Sequence, residues 1–212
     1  MPNLNIKLIK FKYNIKNFPN LKNSHVSEAT YYRMFLAVHL HSVENNVMYV
    51  DADAYFINNI SHKIPKIIKS LTERDLLIAA KTEFSLKKNQ SPDIFERLEM
   101  NDKYFNAGVM IINLQKWREN NISKILKNKV FELDNKIVFW DQDVLNSFIN
   151  GKYYELPQGF NFLIDINYPE NYKNKEVDII HYAGNTKPWS KKGVLINPNT
   201  YYKKLEKEFF NF

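Results

Sequence analysis

Apolar residues in this chain fall mostly into short continuous runs. Val47–Val50, Leu76–Ala80 and Val109–Ile112 each read as a strand, and Val177–Tyr182 as a fourth. Continuous runs of this kind suit strands covered on both faces. One segment alternates instead: Leu4, Ile6 and Leu8 are interleaved with polar residues, which predicts a strand over residues 3–11. Between the strands the spacing turns helical. Ser27 is placed to cap a helix running to about Ser42, with Tyr31, Met34, Phe35 and Val38 as its apolar face. Further helices are predicted over Pro65–Leu71, 91–100, from near Asn113, over Ile122–Leu133, and over Asp141–Ile149 with acids in its first turn. A glycine-containing turn precedes Val109, and Leu205–Phe210 forms a terminal amphipathic turn or two. Strands alternating with helices are the α/β pattern. No repeat, linker or low-complexity tract interrupts it, so a single domain over 1–212 is expected.

Composition adds little to the fold but narrows the chemistry. With 212 residues and 44% hydrophobic content the chain can bury a sizeable core. It has no cysteine, which excludes a disulfide framework and thiolate metal ligands. No run of about 18 apolar residues is present and Met1–Lys10 lacks a signal-peptide pattern, so a cytoplasmic location is expected. The net charge of +7 comes from 26 Lys against 4 Arg, scattered among 28 Asn. No basic block stands out, so nucleic acid is not an expected partner. The charge leaves a tilt toward a membrane surface or an anionic glycolipid, with the Lys- and aromatic-rich tail Tyr201–Phe212 as the segment that would face it.

The candidate chemistry starts at the end of the Val47 strand, where VMYVDADAYF places Asp51 and Asp53 two residues apart. In extended backbone such residues point to one side, so both carboxylates can converge. Two hard oxygen ligands at the carboxyl end of a strand suit a divalent cation with positions left open for phosphate oxygens. An isolated acid pair of this kind also arises as an ordinary capped turn.

Four later segments give the pair its context: YFNAGVMIINLQKW (104–117), WDQDVLN (140–146), LPQGFNFL (156–163) and HYAGNTKPW (181–189). In this order and spacing the five segments closely resemble the family-eight glycosyltransferases, retaining enzymes that use a UDP-sugar, and the resemblance spans Val26–Trp189. The resemblance implies a Rossmann-like mixed sheet flanked by helices, the GT-A type. It also implies a manganese ion, or magnesium, held by Asp51, Asp53 and His181, with Asp51 and Ala52 beside the nucleotide. Gly184 and Lys187 would contact the diphosphate, Lys187 stabilising the leaving UDP. Arg33, Asn106 and Ala107 would reach the donor, the last two from a tight turn. Asp141 would bind sugar hydroxyls, Gln142 would lie near the anomeric carbon, and Asp143 would support its helix. Glu83 stands where the family often has a sugar-binding Asp. Tyr104 and Phe105 are assigned to the core, and Trp189 to packing its loop, with facing the acceptor as the alternative.

The implied reaction transfers galactose or glucose from UDP-galactose or UDP-glucose to a glycan or glycolipid such as lipopolysaccharide, at the inner face of the membrane. Retention requires either a covalent intermediate on a strong nucleophile or attack by the acceptor on the face the UDP leaves. Gln142 is a poor nucleophile, which favours the second route and leaves Asp141 as the fallback. One departure is marked. A βαβ unit takes about 30 residues or more, and fewer precede the SEATYYRM segment, so the family's first βαβ portion, with its base-binding wall, is expected to be missing. An open sheet edge that invites self-association would follow, and a catalytically impaired binding module is the alternative function.

Overall fold

The structure, a computed structural model, describes residues 6–11, 18–19, 28–40, 44–87, 91–164, 176–184, 187–196 and 201–210. The first regular element is a 3-10 helix, Glu28–Phe35, continued by α1 (Leu36–His39). Then come β1 (Asn46–Val50), β2 (Ala54–Phe56), α2 (Ile64–Glu73), β3 (Ile78–Lys87), α3 (Pro92–Arg97) and β4 (Lys103–Asn113). They are followed by α4 (Leu114–Glu119), α5 (Ile122–Leu133), α6 (Trp140–Ile149), β5 (Tyr154–Glu155), a 3-10 turn Gln158–Asn161 and β6 (Phe162–Leu163). The last elements are β7 (Ile179–His181), α7 (Lys191–Ile196) and α8 (Tyr201–Phe210).

The strands form two sheets. The larger has the order β1-β4-β3-β5, mixed in direction: β4 runs antiparallel to β1 and β3, while β5 is parallel to β3. The smaller is β2-β7-β6. This is the α/β architecture expected from the strand and helix pattern, with the mixed sheet that the family resemblance implies. β4 is central, and its apolar run does face protein on both sides. Met110 and Ile112 join Ile78 and Ala80 in a core shared with α5, α6 and the first 3-10 helix, while Val109 and Ile111 pack with Ala79 against Ile67 and Leu71 of α2. Burial of such a run is the main driving force for the layer order.

Several elements differ from expectation for identifiable reasons. Residues 6–11 form no strand; Ile6 and Leu8 are 79% and 94% exposed, because no described strand lies beside them to reward the alternation. Residues 3–5, like the capping Ser27 and the end point Ser42, lie outside the described residues. The helix after Ser27 is mostly 3-10, and it buries Tyr31, Met34 and Phe35 but leaves Val38 exposed at its short α-helical end. β3 begins two residues later than Leu76 and continues to Lys87 through a stretch in which Phe84 and Leu86 alternate with polar residues, still paired with β4. The turn expected before Val109 is instead part of β4. Pairing jumps from Ala80↔Met110 to Lys81↔Asn106, so Ala107–Val109 bulge out of the ladder. Among the described residues no helix is long and apolar enough to cross a membrane.

Candidate active site

The two sheets meet at the acid pair. β1 ends at Val50, the chain turns through Ala52 and Asp53, and β2 of the other sheet begins at Ala54. The turn is closed by Ala54 N–H donating to the Asp51 carbonyl (3.1 Å). Asp51 N–H is tied to Gly108 O in the β4 bulge (2.8 Å), and Tyr182 N–H to Asp53 O (3.0 Å). The carboxylates therefore converge because a turn crosses between sheets, and not through the extended backbone that the spacing suggested. β7 is the middle strand of the small sheet, which places buried His181 opposite Ala54. His181 Nε2 lies 3.3 Å from Asp53 Oδ1 and 3.9 Å from Asp51 Oδ2.

One ligand atom from each of Asp51, Asp53 and His181 lies within 4.8 Å of the others, a group that could hold a metal ion. Two carboxylate oxygens and an imidazole nitrogen suit a hard-to-borderline divalent cation. Lys187 Nζ also hydrogen-bonds Asp53 Oδ2, and the Tyr182 carbonyl at 2.7 Å. Burial alone would raise the Asp53 pKa, but contacts with His181, when its ring carries both protons, and with Lys187 outweigh it and hold the carboxyl well below the usual range.

A second cluster adjoins the first. Arg33, 7% exposed, donates through Nη1 to Ala107 O (2.7 Å), pairs with Asp51 Oδ1 (3.1 Å) and stacks over the Tyr49 ring at 4.6 Å. Tyr49 OH donates to the same Asp51 Oδ1 (2.6 Å). Arg33 Nε also sits 2.9 Å from Asp141 Oδ2, yet that buried oxygen has no aligned hydrogen bond. Burial works against the Arg33 charge, and the field of Asp141 and Asp51 more than compensates. Burial, opposed by Arg33 and reinforced by Asp51, pushes the Asp141 carboxyl up to about 6.

Gln142 is held at both ends of its amide: Oε1 accepts Ala107 N–H (2.9 Å), and Nε2 donates to Tyr104 OH (3.2 Å) and toward Glu83 (3.4 Å). Asn106 Oδ1 accepts Gly108 N–H (2.9 Å), leaving its amide nitrogen near Glu83 Oε2 at 3.4 Å. Burial raises the Glu83 pKa, only partly offset by those two amides. Asp143, fully buried, accepts from Val138 and Phe139 N–H, Arg97 and Tyr104 OH at 2.7–2.8 Å. That anchorage holds the turn entering α6, where Trp140 adopts a left-handed φ of 50°.

All residues assigned to the site from sequence line one open cavity of about 700 Å³: the candidate metal-binding trio Asp51, Asp53 and His181, with Arg33, Ala52, Glu83, Asn106, Ala107, Asp141, Gln142, Gly184 and Lys187. Gly184 has φ of 89°, and a Cβ there would meet nothing within 4 Å, so glycine serves the backbone conformation and keeps the cavity wall open. Tyr104 and Phe105 are fully buried, as expected of core residues. Trp189 does more than pack: it touches the Tyr202 ring (5.2 Å) yet is 43% exposed and lines the cavity. Sequence reasoning passed over Tyr49, Phe139, Gly108 and Asn161. Tyr49, two residues before Asp51 on a strand, had a spacing signal; Gly108 and Asn161 lie within the quoted segments, but their partners come from distant elements, so the sequence assigned them no task.

The sequence profile described as glycosyl transferase family 8 matches residues 3–193. The chain is 30% identical over 184 residues to the lipopolysaccharide 1,3-galactosyltransferase of Salmonella typhimurium, covering 82% of this chain and 52% of that protein. It is 27% identical over 188 residues to general stress protein A of Bacillus subtilis, covering 80% and 62%. The chain thus spans roughly half to three-fifths of the length of these curated relatives. A crystal structure of the galactosyltransferase LgtC in complex with donor and acceptor sugar analogs superposes with a TM-score of 0.72 at 25% identity, over 91% of this chain and 69% of that one. A profile match over nearly the whole chain, with the same fold, places this protein in glycosyl transferase family 8.

Proposed function

We propose that this chain is a divalent-cation-dependent, retaining hexosyltransferase that moves galactose or glucose from a UDP-sugar to a glycan or glycolipid such as lipopolysaccharide. The observation that carries this reading is the juxtaposition, in one open cavity, of the Asp51–Asp53–His181 cluster with Asp141, whose buried Oδ2 faces Arg33 but accepts no hydrogen bond. The first suits a cation bound to a diphosphate, and the second offers an acceptor to a sugar hydroxyl. Manganese, or magnesium, fits the donor set. When bound, the cation supplies Lewis-acid charge to the departing diphosphate. Lys187, at the same end of the cavity, adds a second positive charge.

In the reaction the bond from the anomeric carbon to the diphosphate oxygen breaks, and the acceptor oxygen bonds that carbon on the same face. The proton of the acceptor hydroxyl passes to the departing phosphate oxygen. The hydrogen-bonding of Gln142 supports this route over double displacement: its amide oxygen is engaged by Ala107 N–H, so it positions and does not attack. Arg33 keeps Asp51 and Asp141 aligned with opposite ends of the donor. The lysines of α8 (Lys203, Lys204 and Lys207) beside Tyr202 provide a surface for an anionic glycolipid or the inner membrane face.

The test is a thermal-shift titration with UDP, with and without Mn²⁺. Ligand at about 100 times its dissociation constant should add about 2.7 kcal/mol of stability. The gain should require Mn²⁺ and vanish in Asp51→Ala. A well-folded protein that shows no shift would instead be an impaired relative without donor binding.

A further inference from the structure

Asn161 is 3% exposed, does not line the cavity, and has no place in the reaction described above. Its side chain nevertheless sits in an ordered chain of hydrogen bonds whose direction can be followed from the backbone. Gly108 N–H can only donate, so the Asn106 atom that receives it at 2.9 Å is the carbonyl oxygen. The same Asn106 Oδ1 lies 2.9 Å from the Asn161 side chain, which must therefore present its amide nitrogen there. The remaining Asn161 atom, its carbonyl oxygen, then faces His181 Nδ1 at 2.9 Å. An oxygen at that distance from a ring nitrogen requires hydrogen on Nδ1.

We propose that Asn161 is a positioning residue for the metal centre: together with Asn106 it fixes hydrogen on His181 Nδ1 and so reserves the Nε2 lone pair for a cation. Nε2 is the nitrogen that faces Asp53 and Asp51. A neutral imidazole free in water prefers its hydrogen on the other nitrogen, which would turn a donor, useless as a ligand, toward the two carboxylates. The oxygen of Asn161 reverses that preference and also fixes the ring plane, because the ring is held in a buried slot between Gly108 and the turn that ends at Asn161. The bulge in β4 belongs to the same device, since it is what aims Gly108 N–H back at Asn106. An asparagine read from sequence as a donor-sugar contact thereby has a second task.

This inference rests on the metal reading above, and its test separates the two. Mn²⁺ binding is measured by the electron paramagnetic resonance of free ion, in the wild-type chain and in Asn161→Ala. The wild type should bind, and the variant should bind about 10- to 100-fold more weakly, the usual loss when a ligand's orienting partner is removed. In the wild-type protein, nitrogen-15 NMR of His181 should show hydrogen on Nδ1, both without metal and with Mg²⁺; this measurement decides the matter even if the variant fails to fold. Equal Mn²⁺ affinity in a folded variant, or a hydrogen-free Nδ1 in the wild type, overturns the role of Asn161 alone. Absence of Mn²⁺ binding by the wild type overturns the metal reading and, with it, this inference.

Discussion

Replacing Gly108 by alanine is expected to abolish cation binding in a protein that keeps its fold. A Cβ at this position would lie 2.1 Å from His181 Cε1, 2.7 Å from Nδ1 and 2.9 Å from Asp51 Oδ2. Real carbon contacts are about 3.5 Å or longer, so one side must move by more than an ångström. The ring cannot swing aside freely, being anchored through Nδ1 to Asn161 within a buried slot. The backbone of β4 is pinned too, through Asp51 N–H on Gly108 O. Metal ligands must hold their distances to about 0.2 Å, and the displacement is several times larger. Overpacking of this kind costs about 1–3 kcal/mol of stability, which a domain of this size tolerates. Mn²⁺ titration of Gly108→Ala, with urea denaturation alongside, checks both halves. Gly184→Ala is the control: its Cβ meets nothing within 4 Å, so any loss there reflects backbone strain at φ of 89°. Native Mn²⁺ affinity in a folded Gly108→Ala protein would mean that His181 is not a ligand.

Why glycine is needed at that point could not be read from the chain, and the same holds for much of the site's detail. The strands with continuous apolar runs were legible because burial on both faces leaves a local signature; Ile122–Leu133 was legible to the residue because its helical spacing is regular. The expected strand over 3–11 failed where a strand needs a neighbour, which local pattern does not encode. The bulge at Ala107–Val109 reads from sequence as a turn leading into a strand, since glycine signals both and only the partner strand distinguishes them. The charged site residues fell into one cavity because their motif types and order carried them there. What held them in place was hidden. Arg33 on Asp51 and Asp141, Asp143 on Tyr104 and Arg97, and Asn161 on His181 join elements far apart in sequence, and only the assembled sheets bring them together.

Asp141→Asn should separate binding energy from electrostatic strain in the same cavity. On the reading above, the lost charged hydrogen bond to the donor sugar lowers kcat/KM by about 10- to 100-fold, the effect of 1.5–3 kcal/mol. Stability should respond differently. The Asp141 carboxyl is pushed up to about 6 by burial, against an ordinary value of 3.8. Between those values the folded chain holds a proton that the unfolded chain has lost, so stability falls as pH rises through this window. Two pH units correspond to a penalty of about 3 kcal/mol, fully developed above pH 6. The amide carries no such charge, so the variant's stability should lose this component between pH 4 and pH 6. Its absolute gain at pH 7.5 should be smaller than the full penalty, because Arg33 loses one of its two acids and keeps Asp51 at 3.1 Å. Urea denaturation of the metal-free wild type and variant at pH 4.5, 5.5 and 7.5 measures the difference between their slopes, which cancels the titration of every other group. Parallel pH curves for the two proteins would mean that Asp141 is ionised as easily in the fold as in water, and that Arg33 fully repays its burial.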